Sequence, residues 1–223
     1  MATLNPKPGR TKKEVVTEFR CKSILGAARA VFARKGFSAA LVDDIADEAG
    51  IAKGTVYLYF RSKEEIYLAA LVEDLQRFHE QTLEAVKTAQ GARQKIRAFA
   101  EVGLENCRTH RDFLRIFVSE FHKPKALAGL HRQRLHLLAS ILEEGIQAGE
   151  IRPVSVPAAA AALFDIIRGS MERQLLDELK NSPGQDLEFI LDLIWTGVGH
   201  TSAGATGAVT GQANCLPHSE STT

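Results

Sequence analysis

Between positions 53 and 63 the chain sets out Lys53, Gly54, Thr55, Tyr57, Tyr59 and Lys63. Ammonium groups, hydroxyls and one position without a side chain suit a phosphate-bearing polymer: cations hold phosphate, hydroxyls reach base edges, and the threonine methyl meets thymine. Lys53 opens a predicted helix, where unpaired backbone N–H groups add to its attraction for phosphate. Gly54 lets the backbone approach a partner closely. Tyr57 and Tyr59 stand about 200° apart around a helix, so both cannot face one partner and one is free to pack.

Other chemistry finds little support. Cys107 and His110 fall on one helix face, but no second ligand pair follows, so a core thiol and a surface imidazole are expected. His131 and His136 lie about 140° apart on a helix and do not chelate together. No GxSxG, HExxH, GxxxxGK[ST] or GxGxxG stretch occurs, and Gly204, Gly207 and Gly211 sit in a tail with no strand before them. Neither catalysis, a metal nor a cofactor is expected.

The elements that must position residues 53 to 63 are helices. Ala46, Gly50 and Val56 stand at spacings of four and six, as two short helices crossing near a right angle require. Ala46 is small at the contact, and Gly50 ends the first helix in a left-handed conformation. Ile45, Ile51, Val56 and Phe60 fill the angle. The second helix, predicted over 53–60 and about 12 Å long, matches the width of a major groove. Ser62 to Glu65 reads as a capping box that starts the next helix, with Lys63 placed to hold a second phosphate. Ahead of the pair, Ile24, Leu25, Ala28, Val31 and Phe32 make one apolar face that ends at Gly36.

Further helices are predicted at 43–49, 63–88, 92–109, 112–121, 126–148, 157–180 and 185–198, with breaks at Gly50, Gly91, Pro124, Gly149, Pro153, Pro157 and the turn at 181–184. No alternating pattern survives, so the class is all-α. Residues 1–12 read as a flexible basic arm, 13–62 as a helix-turn-helix domain, 63–200 as a helical bundle, and 201–223 as a disordered tail.

Composition agrees with this division. Hydrophobic residues make up 45% and charged residues 25% of the 223, ordinary globular values. No apolar run approaches the roughly 20 residues of a membrane span, and the start lacks the apolar core of a signal peptide, so a cytoplasmic protein is expected. Cysteines 21, 107 and 215 are odd in number and far apart, which suits free thiols. The net charge of +1 hides an asymmetry. Up to Lys63 there are twelve basic residues against six acidic, and the remainder is acidic, so the front end is the part that meets a polyanion.

Residues 20 to 71, with Ile24-Leu25-Gly26-Ala27-Ala28, Phe32-Ala33-Arg34-Lys35-Gly36-Phe37, Asp44-Ile45-Ala46, Ala49-Gly50-Ile51-Ala52-Lys53-Gly54-Thr55-Val56-Tyr57, Tyr59-Phe60 and Ser62-Lys63-Glu64, closely resemble the N-terminal domain of the tetracycline-repressor (TetR) family. The resemblance implies a three-helix DNA-binding domain, a divergent helical regulatory domain, a homodimer, and repression relieved by a small molecule. It places DNA contacts on Lys53, Gly54, Thr55, Tyr57, Tyr59 and Lys63. Two positions depart from the family. Leu41 and Ala52 stand where Thr or Ser commonly caps the two helices, a loss of about 1 kcal/mol each.

In the body, Phe164, Ile167, Met171 and Leu175, followed by Ile190, Leu191, Ile194 and Val198, cover more than one helix face. A helix apolar on two sides needs two partners, here the body's own core and a second copy. Two linked readers would engage a pseudo-palindrome with half-sites about 34–36 Å apart or a multiple of that. Phe113, Phe117 and Phe121 recur every four residues, with Phe78, Phe99 and Phe164 nearby in the expected bundle. Such a stripe is core, or the wall of an effector cavity with Cys107, His110, Arg115 and Arg168 as its polar groups, Arg168 meeting an acidic group. The leading expectation is a repressor released from double-stranded DNA by an apolar effector. The alternatives are a ligand-dependent activator, a small-molecule-binding helical protein with a weakened reader, and an enzyme using the cavity.

Overall fold

In the computed structural model the described residues are 11–121, 125–176 and 183–198, and they are helices joined by short turns, with no β-strand among them. The expected basic arm up to residue 10, the expected tail at 201–223 and the end of the expected 157–180 helix lie outside the described residues.

Helix α1 runs Lys12–Ala39, so the last residue assigned to the arm is already helical. Thr11 explains the start: its side chain accepts the Glu14 N–H while the Glu14 carboxylate accepts the Thr11 N–H at 2.8 Å. Gly36, at φ 74° and ψ 172°, interrupts the helix as expected, and the chain then makes one further turn to Ala39. Helices α2 (Val42–Ala49) and α3 (Lys53–Tyr57) follow. Gly50 closes α2 at φ 65° and ψ 37°, the left-handed cap its position predicts. Then come α4 (Lys63–Thr88), α5 (Gly91–Thr109), α6 (Arg111–Glu120), a short 3-10 turn at Lys125–Leu127, α7 (Ala128–Gln147), α8 (Val156–Leu175) and α9 (Pro183–Val198).

Two apolar cores hold these helices. The first joins Ile24, Val31 and Phe32 of α1, Ile45 and Ala46 of α2, Val56 and Phe60 to the first half of α4 (Ile66, Tyr67, Ala70, Leu71) and to α6. The second gathers α5, α7, α8 and α9 around Phe99, Leu138, Leu142 and Leu163. Helix α4 belongs to the first core at its start and borders the second at its end, where Val86 is buried. It is the rod between reader and body. Three ties fix that rod to α1. Arg29 reaches the Glu73 carboxylate at 2.7 Å, the Asp74 carboxylate at 2.9 Å and the Ala70 carbonyl at 3.2 Å.

Candidate nucleic-acid interface and effector site

Helix α3 is shorter than predicted. It spans five residues and about 7.5 Å, and residues 58 and 59 form a turn. No side chain caps it at Ala52. With so few turns and no cap, its own hydrogen bonds cannot extend it, and Val56 and Phe60, both buried, hold it in place. At α2 the missing cap is partly replaced, since the Asp44 carboxylate accepts the Leu41 N–H at 3.0 Å.

The outward face carries Lys53, Gly54 and Tyr57, all exposed, with Thr55 half-buried. Tyr57 is 47% exposed, whereas Tyr59 packs against the first core, so the two tyrosines divide as the helix geometry requires. Gly54 needs no left-handed backbone, and a Cβ there would meet nothing within 4 Å. Nothing inside the chain demands a glycine. Leu58, 79% exposed, adds an apolar tip that the sequence reading passed over. The Lys53 ammonium rests 3.0 Å from the Asp43 carboxylate on α2, and that hydrogen bond raises its pKa. Both partners are exposed, so a phosphate can displace the carboxylate at little cost.

Lys63 is used differently from expectation. Its ammonium donates to the carbonyls of Phe37 (2.6 Å), Ser38 (3.2 Å) and Ala40 (2.9 Å) and lies 4.7 Å from the centre of the Phe37 ring. These occupy the donors of an ammonium group, leaving none to hold a phosphate. The capping box is also shifted: Ser62 Oγ accepts the Glu65 N–H at 3.1 Å, but the Glu65 carboxylate reaches the Arg61 N–H.

The aromatic residues separate into two groups. Phe121 stacks on Tyr67 and also meets Phe37, Phe113 meets Tyr67 with its ring tilted by 45°, and Phe117 packs on the same core. This stripe seals α6 to the reader. The Tyr67 hydroxyl, buried, donates to the Phe113 carbonyl at 2.9 Å, and burial raises its pKa. Of the polar groups expected inside, His110 and Arg115 are exposed, and Arg168 lies on the outer side of α8, paired with Asp165 and Glu172 of its own helix. Arg115 instead edges a shallow groove between α1 and α6. Only Cys107 is buried, with its thiol pushed up to about 12 by burial.

Phe78, Phe99 and Phe164 converge on a residue the sequence reading missed. The Arg134 guanidinium lies 4.1, 4.5 and 5.9 Å from their ring centres and is 8% exposed. Its sequence signal is position: Leu130, Arg134, Leu138, Ile141 and Leu142 form the buried stripe of α7, and arginine occupies one step of it. Burial lowers its pKa to about 10, so it stays cationic at neutral pH. Arg134 Nη1 has no hydrogen-bond partner, and neither do His79 Nδ1, Ser170 Oγ and Gln174 Nε2 on α4 and α8.

The surface expected to meet a second copy also needs correction. Phe164, Ile167, Leu175, Ile190, Leu191 and Ile194 are buried in the chain's own cores, and Met171 packs between them. The Val198 side chain lies outside the described residues. The large apolar side chains left exposed on the described parts of α8 and α9 are Ile166, Phe189 and Leu193 at 36%, 69% and 51%. No helix among the described residues is long and apolar enough to cross a membrane.

Comparison with known proteins adds relatives to this geometry. The family described as "Bacterial regulatory proteins, tetR family" matches residues 24–70, the segment that holds α2, α3 and their supports. The fatty acid metabolism regulator protein of Bacillus subtilis (strain 168) is 28% identical over 181 residues, covering 78% of this chain and 93% of that one. The crystal structure of the transcriptional regulator FadR from Bacillus subtilis, in complex with stearoyl-CoA, superposes with a TM-score of 0.69 at 26% identity, over 79% of this chain and 98% of that one. The transcriptional activator FasR of Mycolicibacterium smegmatis is 40% identical over 78 residues, 35% of this chain and 36% of that one.

Proposed function

We propose, because the chain belongs to the tetR family of bacterial regulatory proteins, that it is a homodimeric repressor, held on a pseudo-palindromic operator and released when a small, largely apolar effector enters its helical body. It is a DNA-binding transcriptional regulator and not an enzyme, and it acts in the cytoplasm, where its operator is. The observation that carries the reading is the outward face of α3, where Lys53, Gly54, Thr55, Tyr57 and Leu58 stand clear of the core that Val56 and Phe60 anchor.

The division of roles follows from exposure. Lys53 exchanges Asp43 for a phosphate, and Thr55 and Tyr57 offer hydroxyls to the groove. Leu58 meets a thymine methyl, and Gly54 admits the sugar-phosphate backbone. Tyr59 and Lys63 position this face without touching DNA. Ile166, Phe189 and Leu193 form the patch that a second copy covers. Stearoyl-CoA in the Bacillus subtilis relative supports a long acyl chain as the effector class.

Release is mechanical. Helix α4 holds α1 through Lys63 and Arg29 at its reader end, and Phe78, 15 residues beyond Lys63, touches the Arg134 guanidinium. That is roughly 22 Å of continuous helix. A ligand wedged beside Phe78 tilts α4 and moves α3 with it. The test is a mobility shift on a duplex selected from genomic fragments. Palmitate and stearoyl-CoA are titrated in turn, and at least one of these long-chain acyl ligands is expected to release the complex in proportion to its occupancy. A complex unaffected by either at saturation contradicts the effector reading.

A further inference from the structure

A guanidinium buried among three phenyl rings, with one of its nitrogens unpartnered, is an uncompensated charge in a low-dielectric interior. The neighbouring polar groups do not neutralise it. Cys107 stays a thiol because burial pushes its pKa up to about 12. His79 stays neutral because burial, reinforced by Arg134 itself, lowers its pKa. Among the described residues no carboxylate pairs with Arg134. On α8, the Ser170 Oγ and Gln174 Nε2 atoms are likewise buried and without a hydrogen-bond partner. The interior around Arg134 therefore holds a cation with an unpartnered N–H and, among the described residues, no carboxylate paired with it.

We propose, resting on the reading that this interior is the effector site, that Arg134 receives the carboxylate of a long-chain aliphatic acid, with the tail entering the apolar seam between α5 and α8. Phe78, Phe99 and Phe164 fix the guanidinium plane, so that its N–H fork meets both carboxylate oxygens. The seam has a movable plug. A Cβ at Gly103 would lie 1.8 Å from the Met171 methyl carbon, so the thioether end of Met171 presses directly on the α5 backbone. A flexible thioether can withdraw and leave a groove for the tail. The head-group choice follows: a free acid presents the anion that Arg134 lacks, whereas an alcohol or a thioester of the same chain presents a neutral group there.

The experiment compares palmitate, palmityl alcohol and palmitoyl-CoA by calorimetric titration of the full chain, with Arg134→Met alongside the wild type and release of a selected duplex as a second readout. Wild-type protein is expected to bind palmitate at least about ten-fold more tightly than the alcohol, the scale of a charge-assisted hydrogen bond. Arg134→Met, which keeps the volume and removes the charge, is expected to erase that preference while retaining binding of the alcohol. Equal affinity of the wild type for acid and alcohol overturns the proposal, and this comparison needs no variant to fold. A preference that survives in Arg134→Met overturns it as well. Palmitoyl-CoA releasing DNA while palmitate shows no preference overturns the head-group assignment and leaves the effector reading standing. Failure of all three to bind overturns both.

Discussion

The Lys63 ammonium lies 2.6 Å from the Phe37 carbonyl and 4.7 Å from the centre of the Phe37 ring, so the first residue of α4 closes the end of α1. A cation is well placed there, because the last carbonyls of a helix lack partners and carry partial negative charge. Lys63→Met keeps the apolar stem and deletes the charge. It is expected to lower stability by about 1–3 kcal/mol in urea denaturation. Its DNA affinity falls with the displaced reader, but the dependence of log K on log salt keeps its slope, since no phosphate contact is lost. Lys53→Ala is expected to behave in the opposite way, flattening the slope by about two, one phosphate contact for each protomer of the dimer, while leaving stability intact.

Tyr57 and Tyr59 separate in the same manner. Tyr57→Ala is expected to weaken operator binding by about 1–3 kcal/mol, with an unchanged denaturation midpoint. Tyr59→Ala removes a ring packed on the reader's core and is expected to cost about 2 kcal/mol of stability. Parallel losses in both properties for both variants would contradict the assigned division.

His79 supplies a pH dependence. Burial, then Arg134, lowers its pKa in the folded chain below the ordinary 6.5. In the window between that lowered value and 6.5 the unfolded chain binds the extra proton and the folded chain does not, so stability falls as pH drops through the window. Above 6.5 this contribution is fully present. Thermal denaturation from pH 7.5 down to 5 is expected to show the decline, and His79→Gln to flatten it.

Phe189 and Leu193 face solvent in one chain, 69% and 51% exposed, on the same side of α9. Phe189→Asp is expected to convert a dimer to a monomer in sedimentation equilibrium with helicity unchanged, and to weaken operator binding because one half-site is engaged at a time. A wild-type chain that sediments as a monomer at every concentration would contradict the dimer.

The reader was legible in the sequence because each constraint there is local. Ala46 and Gly50 are steric requirements of one turn, whereas the cap that Thr11 makes with Glu14 went unread and left Lys12 in the arm. What escaped depends on distance or on choice between faces. The carbonyls Lys63 caps lie 26 to 23 positions earlier, so its neighbourhood suggested a phosphate instead. On α9 both faces are apolar, and periodicity alone does not say that Ile190, Leu191 and Ile194 turn inward while Phe189 and Leu193 turn out. Arg134 reads as an interruption of a stripe, and only the convergence of three helices on it reveals a cage. Arg168, its counterpart in the sequence reading, is satisfied by Asp165 and Glu172 one turn away on either side.

The central claim is that the short face of α3 reads duplex DNA in pairs. Selection of duplexes from a genomic pool by the full chain, followed by binding titrations in rising salt, tests it most directly. The expected result is enrichment of a pseudo-palindrome whose affinity falls steeply with salt and is lost in a folded Lys53→Ala, Tyr57→Ala double variant. No enrichment of any duplex, or binding that this variant retains in full, would contradict it.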